Sequence, residues 1–338
     1  MKGRFPRHGQ GHGFSSLPRP DGALSRREFL KWQMRGALCL AAGAAGAAGI
    51  VNVGNLVLPD DALAGAGPDI ALATGRPAAA TRAAVELLGG MAAFVKPGSR
   101  VVIKPNISFP NPPEAATTTH PEVVRELAVM CREAGASRIM ILDHTLYDRA
   151  TCLEQSGVAD ACESVEPGMV QALGDARFYR ESDIPQGVSM KSTRVMADVL
   201  EADVLISAPV AKSHSSAGVS LSMKNLMGLI FDRSVMHSRH DLDVAIVDLV
   251  SLLRPALAVV DATRVLTTNG PGGPGKVDVL DTVIASRDPV AADARAVLLS
   301  EWYGRRFAPR QVRHIALAHE RGLGRMDVEN LRESRVAV

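Results

Sequence analysis

Residues 208–230 of this 338-residue chain bring together an unusual number of side chains that can do chemistry. Lys212 and His214 lie just after an apolar run, and Lys224 and Asn225 lie in the helix-like run that follows. Lysine ammonium groups bind and polarise anions, and histidine titrates near neutral pH and therefore suits proton transfer. We predict that Lys212, His214 and Lys224 are catalytic residues of a site for a small anion, either a carboxylate or a phosphate.

The elements that would position these residues follow a regular alternation. Short apolar strands alternate with amphipathic helices, which predicts an α/β fold with a mostly parallel, doubly wound sheet and helices on both faces. Five of the predicted strands are followed at once by polar sequence, and they lie at 101–103, 139–142, 204–207, 257–260 and 283–286. Ligands of open α/β sheets bind beyond the carboxyl ends of the strands. We therefore expect the five strand ends to form one cleft.

Six further polar residues are predicted to bind the substrate in this cleft. They are Lys104, Asn106, His120, Asn225, Asp261 and Asn269. Simpler interpretations exist, because Lys104 could be a solvated loop lysine, and Thr119 or His120 could cap the helix that Pro121 begins. Asn106 and Asn269 could be turn formers. The loop 269–275 lacks a Gly-Lys-Ser/Thr sequence and is therefore not a P-loop.

Three histidines are candidate ligands for a divalent metal. His144 follows a predicted strand, and His237 and His240 stand three residues apart before a predicted helix. Such spacing on one helical turn suits a metal site. A helix start capped by Asp241 explains the same residues without a metal, so no metal site is firmly predicted and the cofactor is left open.

The cysteines argue against an iron–sulfur cluster. Cys131, Cys152 and Cys162 follow the N-terminal segment, and no two cysteines form a CxxC pair. Neither an iron–sulfur cluster nor a cysteine zinc site is therefore expected. Cys152 and Cys162 could form a disulfide in an oxidising compartment, or all three could be buried as small apolar residues.

The N-terminal segment resembles an export signal. Residues 25–31 match the twin-arginine motif, an Ala/Gly/Leu-rich run covers 36–58, and Ala62-Leu-Ala64 fits a cleavage site. We predict a signal peptide and linker at 1–64, cleaved near Ala64, followed by an α/β domain at 65–338 of one unit or two lobes. The resemblance implies recognition by the twin-arginine translocation machinery, export in the folded state, and a periplasmic or other extracytoplasmic location.

Membrane contact is expected only through this leader. A retained anchor is the alternative, because its apolar run approaches the ~20 residues needed to span a bilayer. Nucleic acid is excluded as a partner on charge. Residues 1–64 hold eight of the 38 Lys/Arg and four of the 36 Asp/Glu, so the leader carries the basic excess and the remainder has a net charge of 30 − 32 = −2. Aromatic residues make up only 4% of the chain, too few for base-stacking platforms.

Taken together, the motifs resemble those of the DUF362 family. The matching segments span about residues 70–325, and they are Lys104-Pro-Asn106, Thr119-His-Pro121, Lys212-Ser-His214, Lys224-Asn-Leu-Met-Gly228, Asp261 with Asn269-Gly-Pro271, and Asp288-Pro289 with Asp293. The resemblance implies that these clusters work together, and it supplies no established reaction. Some relatives carry ferredoxin-like cysteine clusters, whose cysteines are missing here. Asp143-His-Thr145 is also similar to the Asp-His-Thr-Arg-Pro segment of nickel-pincer lactate racemases, with Leu146-Tyr147 in place of Arg-Pro.

Three functions are compatible with these observations. The leading prediction is an exported enzyme that acts on a small anionic substrate. The alternatives are a non-catalytic protein that binds or matures a metal or cofactor, and an accessory subunit of an exported redox complex with a redox partner subunit.

Overall fold

A computed structural model describes residues 67–338, so the predicted leader lies outside the described residues. The strands of this part are β1 Ile70–Thr74, β2 Arg100–Pro105, β3 Arg138–Asp143, β4 Val170–Ala172, β5 Tyr179–Asp183, β6 Ser192–Met196, β7 Val204–Ala208, β8 Val210–His214, β9 Gly218–Ser220, β10 Leu257–Leu266, β11 Val277–Ser286 and β12 Glu333–Ala337. Ten of them form one sheet in the order β12-β1-β11-β10-β7-β2-β3-β4, with β8 beside β10 and β9 beside β8. Strands β5 and β6 pair separately.

The long sheet is mostly parallel. Neighbouring strands from β10 through β7, β2 and β3 to β4 are parallel, as are β1 and β12. Strand β11 runs antiparallel to both β1 and β10. The predicted fold class, α/β with a mostly parallel sheet, is confirmed.

Helices cover both faces of this sheet. They are α1 Pro77–Leu87, α2 Pro121–Glu133, α3 Arg149–Ser156, α4 Val158–Glu163, α5 Ala197–Leu200, α6 Ser222–Asn225, α7 Arg233–Ser238, α8 Leu242–Leu253, α9 Pro289–Val297 and α10 Arg313–Glu320. Alternate residues of β2 enter opposite apolar cores: Val101 and Ile103 pack with α1, α2 and α4, and Val102 packs with α6, α8, α9 and α10. Burial on both faces explains why the strands read as continuous apolar runs.

Four of the five predicted strand ends meet at the carboxyl edge of the sheet, and the fifth does not. Strands β10 and β11 form a hairpin closed by the hydrogen bond from Thr267 N to Lys276 O at 2.8 Å. Since β11 is reversed, its end at Ser286 and the following Asp288 lie at the opposite edge, and the prediction that the strand at 283–286 ends in the cleft was wrong. A parallel partner would need a crossover connection of a dozen or more residues, usually a helix, which the short glycine–proline loop cannot supply.

The segment that carries the predicted catalytic residues is also more ordered than expected. Its polar part is a strand, β8, which pairs with β10 and forms a hairpin with β9. Lys212 and His214 are two residues apart in β8 and therefore share one face. The helix that follows, α6, is only four residues long and continues as a 3-10 turn, Leu226–Leu229.

The described residues, 67–338, all belong to one compact unit. Across the helices that the structure describes, none has the length and apolar character needed to cross a membrane.

Candidate functional site

A buried ion pair joins the carboxyl ends of β2 and β3. Lys104 Nζ lies 3.0 Å from Asp143 Oδ1 and 3.1 Å from the amide oxygen of Asn225, and all three residues are buried. Asp143 also accepts hydrogen bonds from the backbone N–H groups of Ile107 and His144, each at 2.8 Å. Both charges are thus fully partnered, which is the condition for a buried ion pair to be tolerated. Lys104 is therefore not a solvated loop lysine.

Gly228 lies against this pair and leaves no room for a side chain. A Cβ atom at this position would stand 2.2 Å from Asp143 Oδ1 and 2.6 Å from Lys104 Cε. The 3-10 turn after α6 therefore approaches the ion pair directly, and Asn225 is held there by its Nδ2 hydrogen bond to the Lys104 carbonyl at 2.7 Å. This contact explains why the sequence Lys224-Asn-Leu-Met-Gly228 has a glycine at its end.

Lys212 is buried without a carboxylate. Its Nζ donates to Thr117 O at 2.6 Å and to Asn106 Oδ1 at 3.2 Å, and it lies 4.5 Å from the centre of the Phe109 ring. Only 1% of its surface is exposed. Burial, and then repulsion by Lys224, hold the pKa of Lys212 well below its usual value of 10.5. Two neutral oxygens and an aromatic face solvate this charge only in part.

Lys224 has even fewer partners. Its only polar contact among the described residues is a weak one, from Nζ to Met227 Sδ at 3.6 Å, although the residue is just 8% exposed. Burial and repulsion by Arg233 lower the pKa of Lys224 to about 8. Together Lys212 and Lys224 place two poorly compensated positive charges in the interior beside the carboxyl edge.

Arg233 adds a third cation that the sequence analysis did not select. It begins α7 and donates from Nη1 to the carbonyl of His144. Burial lowers its pKa from 12.5, and nearby Asp143 opposes that shift. No local signal in the sequence marks this arginine, because its position depends on how α7 folds back over β3.

His214 is held in one neutral form. Its Nδ1 accepts hydrogen bonds from the backbone N–H groups of Ser216 at 3.1 Å and Ala217 at 3.2 Å, so the ring proton sits on Nε2. Burial and the neighbouring lysines lower the pKa of His214 to about 2. The exposed ring of His237 stacks on it at 5.9 Å. The structure therefore supports His214 as a hydrogen-bond donor through Nε2, rather than as the proton-transfer group that we expected from its ordinary pKa.

Asp261 and His120 lie at the same edge and stabilise local structure. Asp261 Oδ2 accepts from the backbone N–H of His120 at 2.7 Å, and its Oδ1 accepts from Thr263. His120 in turn caps α2, since its Nδ1 accepts from Glu122 N at 3.2 Å. Their side chains are thus occupied in fixing the start of α2 next to β10.

Asn269 is exposed and takes the role of a turn former. Its φ is +53°, a left-handed conformation that asparagine tolerates. Its Nδ2 donates to Pro274 O at 2.8 Å, across the glycine–proline loop. Behind it, Gly270 packs against β8 so closely that a Cβ would stand 1.9 Å from Ser213 O. The loop therefore braces the strand that carries Lys212.

Asp293 connects α9 to the site. Its two carboxylate oxygens accept from the backbone N–H groups of Ser222 at 2.7 Å and Met223 at 3.0 Å, at the start of α6. Burial raises the pKa of Asp293 to about 7. In the sequence, this role was indicated only by the presence of an acidic residue within the mostly apolar α9. Asp293 thus fixes the short helix that presents Lys224 and Asn225.

The three candidate metal ligands do not form one cluster. His144 Nδ1 contacts Ile230 O at 3.2 Å, and His240 Nδ1 contacts Ser189 Oγ at 2.9 Å, while His237 lies beside His214. Over residues 67–338, no group of three or more His, Cys, Asp or Glu side chains is placed to hold a metal ion. The described cysteines, Cys131, Cys152 and Cys162, are buried free thiols.

A cavity of about 300 Å³ at the opposite edge has different properties. It is lined in part by Arg287 and Asp288. Arg287 lies 4.2 Å from the Phe94 ring centre and donates to Leu88 O, and Asp288 accepts from the N–H groups of α9 and of Arg325. These charges are already partnered, so the chemistry points to the carboxyl edge.

The fold and the site define an α/β protein with a buried, cation-rich cluster at the carboxyl edge of a mostly parallel sheet. A family model described as Domain of unknown function (DUF362) matches residues 101–297. The chain belongs to this family, as its motifs predicted.

A curated protein and a solved structure show what the chain is similar to. A thylakoid-associated protein of Synechocystis sp. is 30% identical over 224 residues, which cover 64% of this chain and 67% of the relative. The lactate racemase apoprotein from Thermoanaerobacterium thermosaccharolyticum superimposes with a TM-score of 0.41 at 13% identity. That match covers 71% of this chain and 57% of the racemase chain, less than two thirds of its length.

Proposed function

We propose that this protein is exported and that it binds and acts on a small carboxylate or phosphate anion at the carboxyl edge of the sheet. The observation that carries the proposal is the burial of Lys212 and Lys224 without a carboxylate partner in the described part of the chain. Lys212 and Lys224 hold the anion, and His214 donates a hydrogen bond to it from Nε2. Asn106 and Asn225, through their contacts with Lys212 and Lys104, orient the cluster.

The physical reason is that unpaired buried charges are unfavourable until an opposite charge arrives. Lowering the pKa of Lys224 from 10.5 to about 8 corresponds to about 3 kcal/mol of disfavoured ionisation at neutral pH. A bound anion offsets this by pairing with the ammonium groups in a region of low dielectric. The protein therefore stores, in its empty state, an unfavourable energy that anion binding relieves.

Isothermal titration calorimetry of the full chain with phosphate and with acetate tests the proposal. Lys212→Met and Lys224→Met keep most of the length of the side chain and remove its charge, and each is expected to lower anion affinity at least about tenfold. Lys276→Met is the matched control, because Lys276 is exposed and pairs with Asp278 at the surface. Equal affinities in wild type and both buried-lysine variants would contradict the proposal.

The pH dependence gives a second measurement on the same samples. Lys224 has its pKa at about 8, so it loses its proton as the pH rises through that value. Anion affinity is expected to fall between pH 7 and pH 9 in wild type, and the fall is expected to be smaller in Lys224→Met.

Export by the twin-arginine route is the localisation part of the proposal. It is supported by the Ser-Arg-Arg-Glu-Phe-Leu-Lys sequence at 25–31, and the thylakoid association of the Synechocystis relative is compatible with it. Replacement of Arg26 and Arg27 by lysine is expected to retain the protein in the cytoplasmic fraction, whereas lysine at Arg4 and Arg7 leaves export unchanged. Export of the Arg26/Arg27 variant at the wild-type level would contradict the proposed twin-arginine route.

A further inference from the structure

One buried histidine outside every motif named so far has an unused hydrogen-bonding atom. His314, on α10, is fully buried. Its Nδ1 lies 3.1 Å from Asp243 Oδ1 on α8, and its Nε2 has no hydrogen-bond partner among the described residues. Buried polar atoms are nearly always paired, so an orphan of this kind calls for an explanation.

The tautomer of His314 follows from its partner. A carboxylate accepts hydrogen bonds and cannot donate them, so Nδ1 carries the proton and donates to Asp243. In the neutral ring Nε2 is then a bare acceptor. Burial lowers the pKa of His314 from its usual value of 6.5, which keeps the ring neutral at physiological pH.

The Nε2 atoms of His314 and His214 therefore have opposite hydrogen-bonding roles. Two backbone N–H groups fix the proton of His214 on Nε2, so that atom donates, whereas Nε2 of His314 accepts. The helix of His314, α10, packs against α8, and α8 packs against α6, which carries Lys224. In agreement with this packing, Lys224 lowers the pKa of both His214 and His314. The anion cluster thus contains one donor and one acceptor in addition to its lysines.

We propose that His314 is a specificity-determining residue of the anion site, whose Nε2 accepts a hydrogen bond from a hydroxyl group on the ligand. The substrate class is then a small anion that also carries a hydroxyl, such as a hydroxycarboxylate. This inference rests on the proposed function, because the lysines must hold the anion for its hydroxyl to reach His314. An anion without a hydroxyl leaves Nε2 unpaired in the bound state, and an unpaired buried acceptor is unfavourable.

Titration of the full chain with glycolate and acetate, which differ by one hydroxyl, tests the inference. Wild type is expected to bind glycolate roughly tenfold more tightly than acetate. His314→Phe has no acceptor at this position, so the variant is expected to bind glycolate and acetate about equally. Its affinity for acetate is expected to stay within about threefold of the wild-type value. His314→Gln retains an acceptor oxygen and is expected to keep part of the preference.

A second measurement does not depend on any variant being folded. Side-chain ¹⁵N spectra of the wild-type imidazoles report each tautomer, and we expect the proton on Nδ1 in His314 and on Nε2 in His214. Glycolate is expected to shift the His314 Nε2 resonance, and acetate is not. A proton on His314 Nε2, or a shift no larger with glycolate than with acetate, overturns the inference.

The outcomes separate the inference from the proposed function. Equal binding of glycolate and acetate, abolished by Lys212→Met, overturns the role of His314 and leaves the anion site standing. Binding of neither ligand overturns the inference, and the failure of phosphate to bind as well overturns the proposed function.

Discussion

Three lysines are buried at or near the same sheet edge, and they differ in what surrounds them. Lys104 has a carboxylate, an amide oxygen and a carbonyl around its ammonium group. Lys212 and Lys224 form no ion pair with a carboxylate among the described residues. Burial lowers the pKa of both, helped by Lys224 at Lys212 and by Arg233 at Lys224, while Asp143 and Asp243 respectively oppose the shift. A buried lysine whose charge is compensated has no need of a ligand, whereas an uncompensated one gains from binding an anion. Lys104 is therefore a structural residue, and Lys212 and Lys224 are the lysines that we propose to hold the anion.

The largest effect is expected from breaking the compensated pair. Asp143→Ala leaves Lys104 charged, buried and unpaired, and it also removes the acceptor of two backbone N–H groups. We expect a loss of about 3–5 kcal/mol in the free energy of unfolding, measured by urea denaturation. Asp278→Ala, which removes the partially exposed partner of surface Lys276, is the control and is expected to cost less than about 1 kcal/mol. If Asp143→Ala also cost less than about 1 kcal/mol, Lys104 could not be distinguished from Lys212 and Lys224 by its ion pair.

The opposite sign is expected for an uncompensated lysine. Lys224→Met should raise the free energy of unfolding at pH 7 by up to about 3 kcal/mol, because the ammonium group forms no ion pair and the attraction of Asp243 only partly offsets its burial. Because the folded pKa of about 8 lies below the unfolded value of 10.5, the penalty is complete below pH 8 and fades as the pH rises towards 10.5. The difference between variant and wild type should shrink over that window, whereas Lys276→Met should show no such trend. A destabilised Lys224→Met at pH 7 would mean that the ammonium group has an unrecognised partner.

A smaller effect is expected at the glycine that touches the compensated pair. Gly228→Ala places a Cβ 2.2 Å from Asp143 Oδ1, so the ion pair or the turn must shift, at about 1–3 kcal/mol. Gly67→Ala is a fair control, because the nearest atom to its added Cβ is 3.9 Å away. Thermal unfolding of the two variants measures the difference. Equal melting temperatures would show that the turn gives way easily.

The smallest effect is expected at Asn269, which the sequence proposed as a ligand-binding residue and which the structure shows as an exposed turn. Asn269→Gly keeps the left-handed backbone and loses the hydrogen bond to Pro274. Stability should fall by no more than about 1 kcal/mol, and acetate and phosphate affinities should stay within about twofold. A tenfold loss of affinity would instead place Asn269 among the ligand contacts.

Much of the fold could be predicted, because parallel strands buried on both faces leave an unmistakable apolar pattern. The residues of β11 do not show which way the strand runs. The only indication in the sequence is that no helix separates β11 from β10, which favours an antiparallel hairpin. Strand β8 was missed since its Lys-Ser-His sequence reads as a loop, although pairing with β10 and β9 makes it a strand.

The sequence showed which residues of the candidate site come together better than it showed how each is partnered. Lys104, Lys212, Lys224 and Asn225 stand out by type and position, but their charges are paired or unpaired only through contacts over long sequence separations. Asp143 and Lys104 are one such pair. His214 was given a role from its ordinary pKa, and the two backbone N–H groups that fix its tautomer were not foreseeable from the sequence.

The position of α10 in the chain has a consequence for how such proteins diversify. The residues proposed to hold the anion lie within 101–297, the region that defines the family, whereas His314 lies beyond its C-terminal limit. Under the two proposals, binding of an anion and choice among anions are encoded in separate stretches of the polypeptide. Substitutions in the C-terminal stretch would change which ligand is preferred while the shared core keeps its affinity for negative charge, so relatives with the same lysines need not share a substrate.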